Sequence, residues 1–451
     1  MKIAKFIPLF LLASCLFEPK YSTPKSPVEL KSSSDNLQIK FADFFNDDKM
    51  RHIIELAITH NKDIELASIN VETAMQTFNV KRADLFPTIS LNAMDSAQGA
   101  PPAFAAFTPQ NTYRANIALS AFELDFFGRL RSLKKSARQS FLATNEAQTL
   151  MKSSIIAQTA NAYLQLVADS NSLEITQNAI VEQETKLNFL RQRRDNGRAS
   201  NVEILAEEIT LETMRSSKAL YQKLVTQDLH LLMLLTGEFN EEKLKPYFAK
   251  IAITSVKINA KLLANVSSNA LLQRPDIKQA EFKLMAANAN IGAARAAFFP
   301  TISLTTGTFG YTSRELSSLM DSQSWGFTPQ ISIPIFNMGR NRANLNIAKL
   351  QKKTEIINYE KAIQIAFREF LDASANYKAS NIQLEHSQNI VKMNEKMQGI
   401  LENQRAMGIT DSIILANASI KLLQARQLLV SQQKEKLANM VVIYKTMGFA
   451  T

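Results

Sequence analysis

The sequence predicts a mainly α-helical chain with a smaller β component, built from long antiparallel coiled-coil helices and four strands, and laid down as an internal tandem duplication. Three observations predict this. Residues 82–91 recur almost unchanged as 295–304. Two stretches, 128–196 and 339–407, run at great length without a proline. Between the helical parts lie short runs in which apolar and polar side chains alternate.

The composition bounds the classes that need considering. Of 451 residues, 46% are hydrophobic and 21% charged, enough for a buried core, and only 12 Gly and 13 Pro appear, against collagen-like or disordered chains. The formal charge is +11, but no basic block is interleaved with aromatics, so the cations read as solvated helix faces and nucleic acid is not an expected partner. Cys15 is the only cysteine, which excludes an intrachain disulfide and a cysteine metal site. His52, His60, His230 and His386 match no ligand spacing. No nucleophile elbow, zinc motif or phosphate loop is present. No catalytic residue, metal or cofactor is therefore expected, and the chain is not read as an enzyme.

The N-terminus reads as an address. Lys2 and Lys5 precede a short apolar run, residues 6–12, and then small residues, as in a secretory signal too short to span a bilayer. Leu12-Ala13-Ser14-Cys15 resembles a bacterial lipobox, which makes Cys15 the expected lipidation site and residues 1–14 the removed segment, leaving a charge of +9. Leu16, not Asp, follows, which by resemblance implies sorting to the outer membrane. Several acyl chains at about 0.8 kcal/mol per buried CH₂ make a firm tether. No later stretch has eighteen uncharged apolar residues, so no membrane-spanning helix is expected, and any crossing must use strands.

The duplication orders the rest. Arg82-Ala83-Asp84-Leu85-Phe86-Pro87-Thr88-Ile89-Ser90-Leu91 and Arg295-Ala296-Ala297-Phe298-Phe299-Pro300-Thr301-Ile302-Ser303-Leu304 agree at eight of ten positions, at an offset of 213. Gly128, Leu173, Leu190, Arg194 and Gly197 recur as Gly339, Leu384, Leu401, Arg405 and Gly408, at an offset of 211. Each half thus reads helix, strand, loop, strand, long helix, turn, helix. In the second half a helix begins at Arg274-Pro275-Asp276, where Pro suits the first turn and Asp complements the dipole. It stops before Pro300, which biases Phe299 to extended geometry. Strands are expected at 301–304 and 327–335, around a polar loop at 312–324. Their first-half counterparts are 88–93 and 113–126, with a phase flip at Ala121-Phe122 that implies a bulge. Such alternation suits a half-buried soluble sheet or a barrel with a watery lumen. In the latter, four strands cannot enclose a lumen, so several chains would have to close it.

The stretch 339–407 would reach roughly 100 Å at ~1.5 Å per residue. Ile356, Ile363, Phe370, Tyr377, Leu384 and Val391 recur every seven residues, and Tyr359, Ala366 and Ala373 supply a second seam with small side chains. Each rod ends at a glycine suited to a tight turn, Gly197 or Gly408, and an apolar helix returns from it, 202–235 or 413–447.

Arg274-Pro275-Asp276-Ile277, Ala280-Glu281, Ala286-Ala287-Asn288-Ala289, Ile291-Gly292 and the block from Ala294 to Leu304 resemble the hallmark of NodT-type lipoproteins in the TolC/OprM outer-membrane factor family. Glu123-Leu124-Asp125-Phe126-Phe127-Gly128-Arg129 and Pro334-Ile335-Phe336-Asn337-Met338-Gly339-Arg340 resemble its strand-to-helix joints, and Pro19-Lys20-Tyr21 with Pro24 resembles its post-cysteine segment. The resemblance implies a TolC-like trimeric α/β-barrel: a homotrimer with one twelve-stranded barrel in outer-membrane lipid, a helical periplasmic tunnel, and a belt from residues near 20–47 and 236–268. It implies the exit duct of a tripartite efflux pump, docked to a periplasmic adaptor (membrane fusion) protein and an inner-membrane transporter. The outer-membrane channel of a type I protein-secretion system is the alternative on the same fold.

The family closes its periplasmic end with acidic rings after the tip glycines. Here Glu203 stands where Asp is usual, while Ile414 and Asn417 stand where acids can occur, so the resemblance implies a partly apolar constriction at Glu203, Ile414 and Asn417. Glu203 reads equally well as a helix-start carboxylate favoured by the dipole. Arg194, Gly197, Arg405 and Gly408 resemble adaptor-docking tips. The expected segments are a signal peptide at 1–14, a lipidated segment at 15–47 and two efflux-protein repeats at 48–260 and 261–451.

Overall fold

The computed structural model describes residues 17–24, 27, 41–97, 111–259, 271–407, 409–410 and 412–448. Cys15, Gly408, Asp411 and parts of the expected belt lie outside the described residues. In chain order the helices are α1 (Phe41–Phe44), α2 (Asp48–His60), α3 (Lys62–Ala83), α4 (Arg129–Asp195), α5 (Asn201–Thr236), α6 (Glu241–Phe248), α7 (Pro275–Ala296), α8 (Arg340–Ala406) and α9 (Ser412–Thr446). The strands are β1 (Thr88–Ala97), β2 (Asn111–Leu124), β3 (Thr301–Ser313) and β4 (Gln323–Ser332).

The duplication is visible in these bounds. α3 and α7 have 22 residues each, α4 and α8 have 67 each, and α5 and α9 have 36 and 35. Two compact units emerge, and each takes segments from both halves of the chain.

The first unit comprises Met1–Ser26, Asn70–Asn145 and Lys278–Lys361. Its centre is an antiparallel sheet in the order β1-β2-β3-β4. The ladders run further than side-chain alternation indicates. The polar stretch expected as a loop at 312–324 contributes the ends of β3 and β4 around a 3-10 turn, Leu316–Asp321. Polar side chains do not stop a ladder, because backbone groups make it. Conversely β4 ends at Ser332, so Ile333 and Ile335 lie beyond it, where Pro334 has no N–H to donate. The bulge expected at Ala121-Phe122 falls on the facing strand instead. The β3–β4 register shifts between Leu304 and Thr306, while β2 and β3 keep one register from Ser120↔Thr306 to Phe122↔Leu304, so β2 itself carries no extra residue there.

A strap at 17–24 is tied to α7 and to the start of α4. Phe17 stacks on Phe299 at 4.4 Å, and Phe127 stacks on Phe299 at 5.0 Å. Arg295 Nη1 donates to the Phe17 carbonyl at 3.1 Å. The Glu18 carboxylate accepts from Lys135 Nζ at 2.8 Å and from Asn288 Nδ2 at 3.0 Å. Lys352 Nζ donates to Asn288 Oδ1 at 2.8 Å, so this fully buried amide is satisfied on both sides. Gly292 admits the strap: a Cβ there would stand 3.1 Å from Glu18 Cα and 2.6 Å from Ser132 Oγ.

The second unit comprises Pro27–Ile69, Glu146–Ile277 and Ala362–Thr451. Its core joins Phe44, Phe45, Ile53 and Ile54 to Tyr163, Leu166, Leu232 and Tyr444, with Leu244 and Ile253 from the segment after α5. Asn171 fixes that segment by donating to the Ile251 carbonyl at 2.6 Å and accepting from Ile253 N at 2.8 Å. Along α8 the column Ala366, Ala373, Ser380 and Ser387 is buried at every seventh residue, while Phe370 and Tyr377 stay partly exposed. The seam of small residues is the deep one, because small side chains let helices approach closely. One expectation needs correction: Ile413–Thr446 is long and apolar enough, by length and composition, to cross a membrane. Its apolar residues Leu415, Leu422, Leu423, Val441 and Tyr444 are buried in this unit, which accounts for the composition.

The Arg274-Pro275-Asp276 motif forms a socket in this unit. Arg274 is 6% exposed, and its guanidinium grips Asp276 in a two-pronged pair at 2.8 and 3.0 Å. It also reaches Glu369 at 2.8 Å and donates to the Thr446 carbonyl at 2.9 Å. Asn61, at the same place in the first half, donates to the Leu235 carbonyl at 3.0 Å and accepts from Asp63 N at 2.9 Å.

Candidate functional site

Two surfaces carry the functional expectations: the faces of the sheet and the ends of the two helical hairpins.

The registers align Leu91, Ile117, Phe309 and Trp325 in one row across all four strands, and all four are more than half exposed. Ile89, Phe327 and Ile331 extend the same apolar face. The adjacent row, on the other face, is Asn92, Asn116, Gly310 and Ser324. Here Asn92 Nδ2 donates to Asn116 Oδ1 at 3.4 Å. The strands hold 10, 14, 13 and 10 residues, close to the roughly 9–11 that cross a bilayer. A greasy face set against a small, polar one matches lipid outside and water inside.

At the first hairpin end, Gly197 has φ +71°, and Arg198 N and Gly197 N donate to the Arg193 and Arg194 carbonyls, both at 2.8 Å. This paired bonding caps the exposed carbonyls of α4. The second end repeats part of it, with Ile409 N donating to the Gln404 carbonyl at 2.9 Å. Gly408 itself lies outside the described residues. Ser200 and Glu203 then form a capping box that starts α5: Ser200 N donates to Glu203 Oε2 at 2.7 Å, and Glu203 N donates to Ser200 Oγ at 3.2 Å.

The expected site residues are distributed differently from a ring of free acids. Glu203 is engaged in its cap and stands 3.6 Å from Arg405. Arg405, expected at a docking surface, is turned inward: its side chain is 13% exposed and also meets Glu207 at 3.4 Å. Glu207 was not singled out from sequence, yet it is fully buried and pairs with Lys186 at 2.9 Å. Gln183 Nε2 donates to the same carboxylate at 2.7 Å. This network fastens α8 to the hairpin of α4 and α5. The one sequence signal for it was the spacing of Glu203 and Glu207, four residues apart on one helix face. Ile414 and Asn417 are exposed together on α9, a turn apart, beside buried Leu415 and Ala418. Arg194 is exposed and pairs with its neighbour Asp195 at 2.9 Å. Among the described residues a cleft of about 950 Å³ opens between the hairpins, lined by Phe189, Leu190, Arg193, Arg405, Leu422 and Leu423.

The profile of the outer membrane efflux protein family matches residues 53–238 and 266–448. The chain belongs to that family. This outer membrane efflux protein is 33% identical to the toluene efflux pump outer membrane protein TtgC of Pseudomonas putida, over 97% of this chain and 93% of TtgC. It is also 33% identical to the cation efflux system protein CusC of Escherichia coli, over 99% of both chains. Its fold superposes on the open state of the Neisseria gonorrhoeae MtrE outer membrane channel with a TM-score of 0.86, at 29% identity, covering 97% of this chain and 99% of that one. It is an outer-membrane duct of efflux, and the relatives favour efflux over protein secretion. The family is one of transport channels.

Proposed function

We propose that three copies of this chain close one twelve-stranded barrel in the outer membrane, continued by their helical hairpins as a tunnel that passively carries small molecules out of the cell. The observation that carries this reading is the four-stranded sheet with one lipid-type face. Among the described residues β1 and β4 each have a single partner strand. Lipid does not tolerate such open edges, so another copy must cover them. Residues 48–260 and 261–451 are the two copies of the repeat.

Cys15 carries the acyl anchor in this reading. Support comes from Phe17, two residues further on, which stacks against Phe299 beside the start of β3. The hairpin ends, with Arg194, Gly197 and Gly408, receive a periplasmic adaptor, and the cleft between the hairpins supplies apolar surface for it. An inner-membrane transporter supplies the energy and selects the cargo. Equal identity to a toluene-pump component and a cation-system component supports placing selectivity outside this chain. Glu203, Ile414 and Asn417 line the closed end, and Arg405 with Glu207 holds hairpin against hairpin.

The test is reconstitution of the full chain in a planar bilayer, with crosslinking and drug accumulation in a deletion strain. Expected are a trimeric crosslinked species, steady conductance, and drug retention when the gene is absent. A chain that stays monomeric in detergent and never conducts would overturn the proposal. Cys15→Ser should lose the acyl label and partition out of the outer-membrane fraction.

A further inference from the structure

The two strand-to-helix joints of the first unit hold equivalent places and differ in chemistry. At an offset of 211, Glu123, Asp125, Phe127, Arg129 and Arg131 become Pro334, Phe336, Met338, Arg340 and Arg342. The first joint satisfies itself. Arg129 Nε donates to Glu123 Oε1 at 2.9 Å, and Arg131 Nε donates to Asp125 Oδ2 at 3.2 Å. Phe127 stacks on Phe299. The second joint keeps both cations and loses both acids. Among the described residues Arg340, Arg342 and Lys349 form no ion pair, and all three are exposed. No acid occurs between Asp321 and Glu355, whereas five cations fall at 340–353. The apolar groups of this joint are wet: Ile335, Phe336 and Met338 are 93%, 81% and 86% exposed. Met338 has φ +51°, a left-handed conformation that few side chains adopt. The joint also continues the greasy face of the sheet. Trp325, Phe327 and Ile331 lie on that face along β4, and exposed Ile333 and Ile335 carry the alternation past its last residue, toward Arg340.

We propose that the second joint, and not the first, binds an anionic phospholipid: Ile335, Phe336 and Met338 enter the acyl margin of the bilayer, and Arg340, Arg342 and Lys349 hold the lipid phosphate. This rests on the sheet being the part of the chain that spans the membrane. In a spanning sheet the greasy face meets acyl chains, and cations that follow its end fall among headgroup phosphates. A wholly apolar partner would bury two guanidiniums without a counter-charge, which is costly. A free anion would answer the charge and leave three large apolar side chains in water. A lipid brings tail and phosphate together, and guanidinium grips phosphate in a two-pronged bond. At the first joint Glu123 and Asp125 already occupy the guanidiniums, so a lipid phosphate there would meet carboxylates.

The test uses the full chain in phosphatidylcholine nanodiscs with a minor share of phosphatidylglycerol, the acyl chains of one lipid or the other carrying bromine. Trp325 is the single tryptophan, so Phe336→Trp with Trp325→Phe places one indole at the second joint, and Leu124→Trp with Trp325→Phe places one at the first. At the second joint brominated phosphatidylglycerol should quench about fivefold more than an equal share of brominated phosphatidylcholine, roughly the preference that one cation confers. Arg340→Gln, Arg342→Gln and Lys349→Gln together should erase that preference, and excess inorganic phosphate should not. At the first joint the two lipids should quench alike. Equal quenching at the second joint, loss of the preference to inorganic phosphate, or an indole there that neither lipid reaches because a second copy covers it would each overturn the lipid site. The membrane reading is checked separately by wild-type Trp325. Quenching of Trp325 by both lipids alike leaves that reading standing whatever the joint does, whereas a Trp325 untouched by either sinks both.

Discussion

The two halves of the chain solve one problem with different residues. Each must hold the end of its returning helix against the start of the short helix that feeds its strands. The first half does so with an amide, Asn61 to the Leu235 carbonyl. The second uses a guanidinium, Arg274 to the equivalent Thr446 carbonyl, and adds Asp276 and the long-helix acid Glu369. The position equivalent to Glu369 in the first half is Gln158, which bonds Ser154 on its own helix at 3.0 Å. The difference teaches that a duplicated scaffold keeps the backbone carbonyl to be satisfied and varies the donor. It also teaches that a buried charge ties in more elements than an amide can.

The largest effect expected from breaking this comparison is Arg274→Ala. Removing the cation strands Asp276 and Glu369 and should cost about 3–5 kcal/mol in a chemical denaturation series. Asn61→Ala leaves one buried carbonyl unmet and should cost about 1–3 kcal/mol. Equal losses would erase the distinction between charged and neutral socket.

The next effect concerns the hairpin ends. Glu207 has no acidic counterpart, because Ala418 occupies its place in the second half. Glu207→Gln should free Lys186 and Arg405 and raise resting conductance and antibiotic entry several-fold, while Ala418→Ser changes neither. Unaltered conductance would remove Arg405 and Glu207 from the closed end.

Smaller again are the glycines after the returning helices. Gly237 and Gly448 both have φ +68°, where a side chain costs roughly 1–2 kcal/mol. A Cβ at Gly448 would stand 2.8 Å from Arg274 Cγ, against 3.1 Å from His60 Cβ at Gly237. Gly448→Ala should therefore lower Tm further than Gly237→Ala, and the reverse order would show that the sockets differ in rigidity rather than in room. The smallest effect is Ser200→Ala, worth about 1 kcal/mol and readable as faster amide exchange at Glu203.

Much of the architecture was legible because it rests on local rules. The Phe-Pro-Thr-Ile-Ser-Leu blocks set where helices end and strands begin, and the glycines at 128, 197 and 339 mark turns with φ of +74°, +71° and +78°. What escaped depends on distant groups. The polar ends of β3 and β4 read as loop because side-chain pattern is silent about backbone pairing. The Glu207 cluster was largely hidden because Lys186 and Arg405 come from two other helices; the four-residue spacing of Glu203 and Glu207 marks a shared helix face but not the partners that meet it. The deeper of the two α8 seams was visible, but its rank was not, since depth depends on how closely a neighbour approaches.

The equal residue counts of α4 and α8 carry a consequence for how such a gene can change. One residue inserted into either rod alone would push everything beyond it about 1.5 Å onward and turn it by about 100°. The buried column on that rod would then face water, while its twin stayed in place. Gains and losses of length are admissible only in whole heptads, so these two spans should tolerate substitution far more freely than indels.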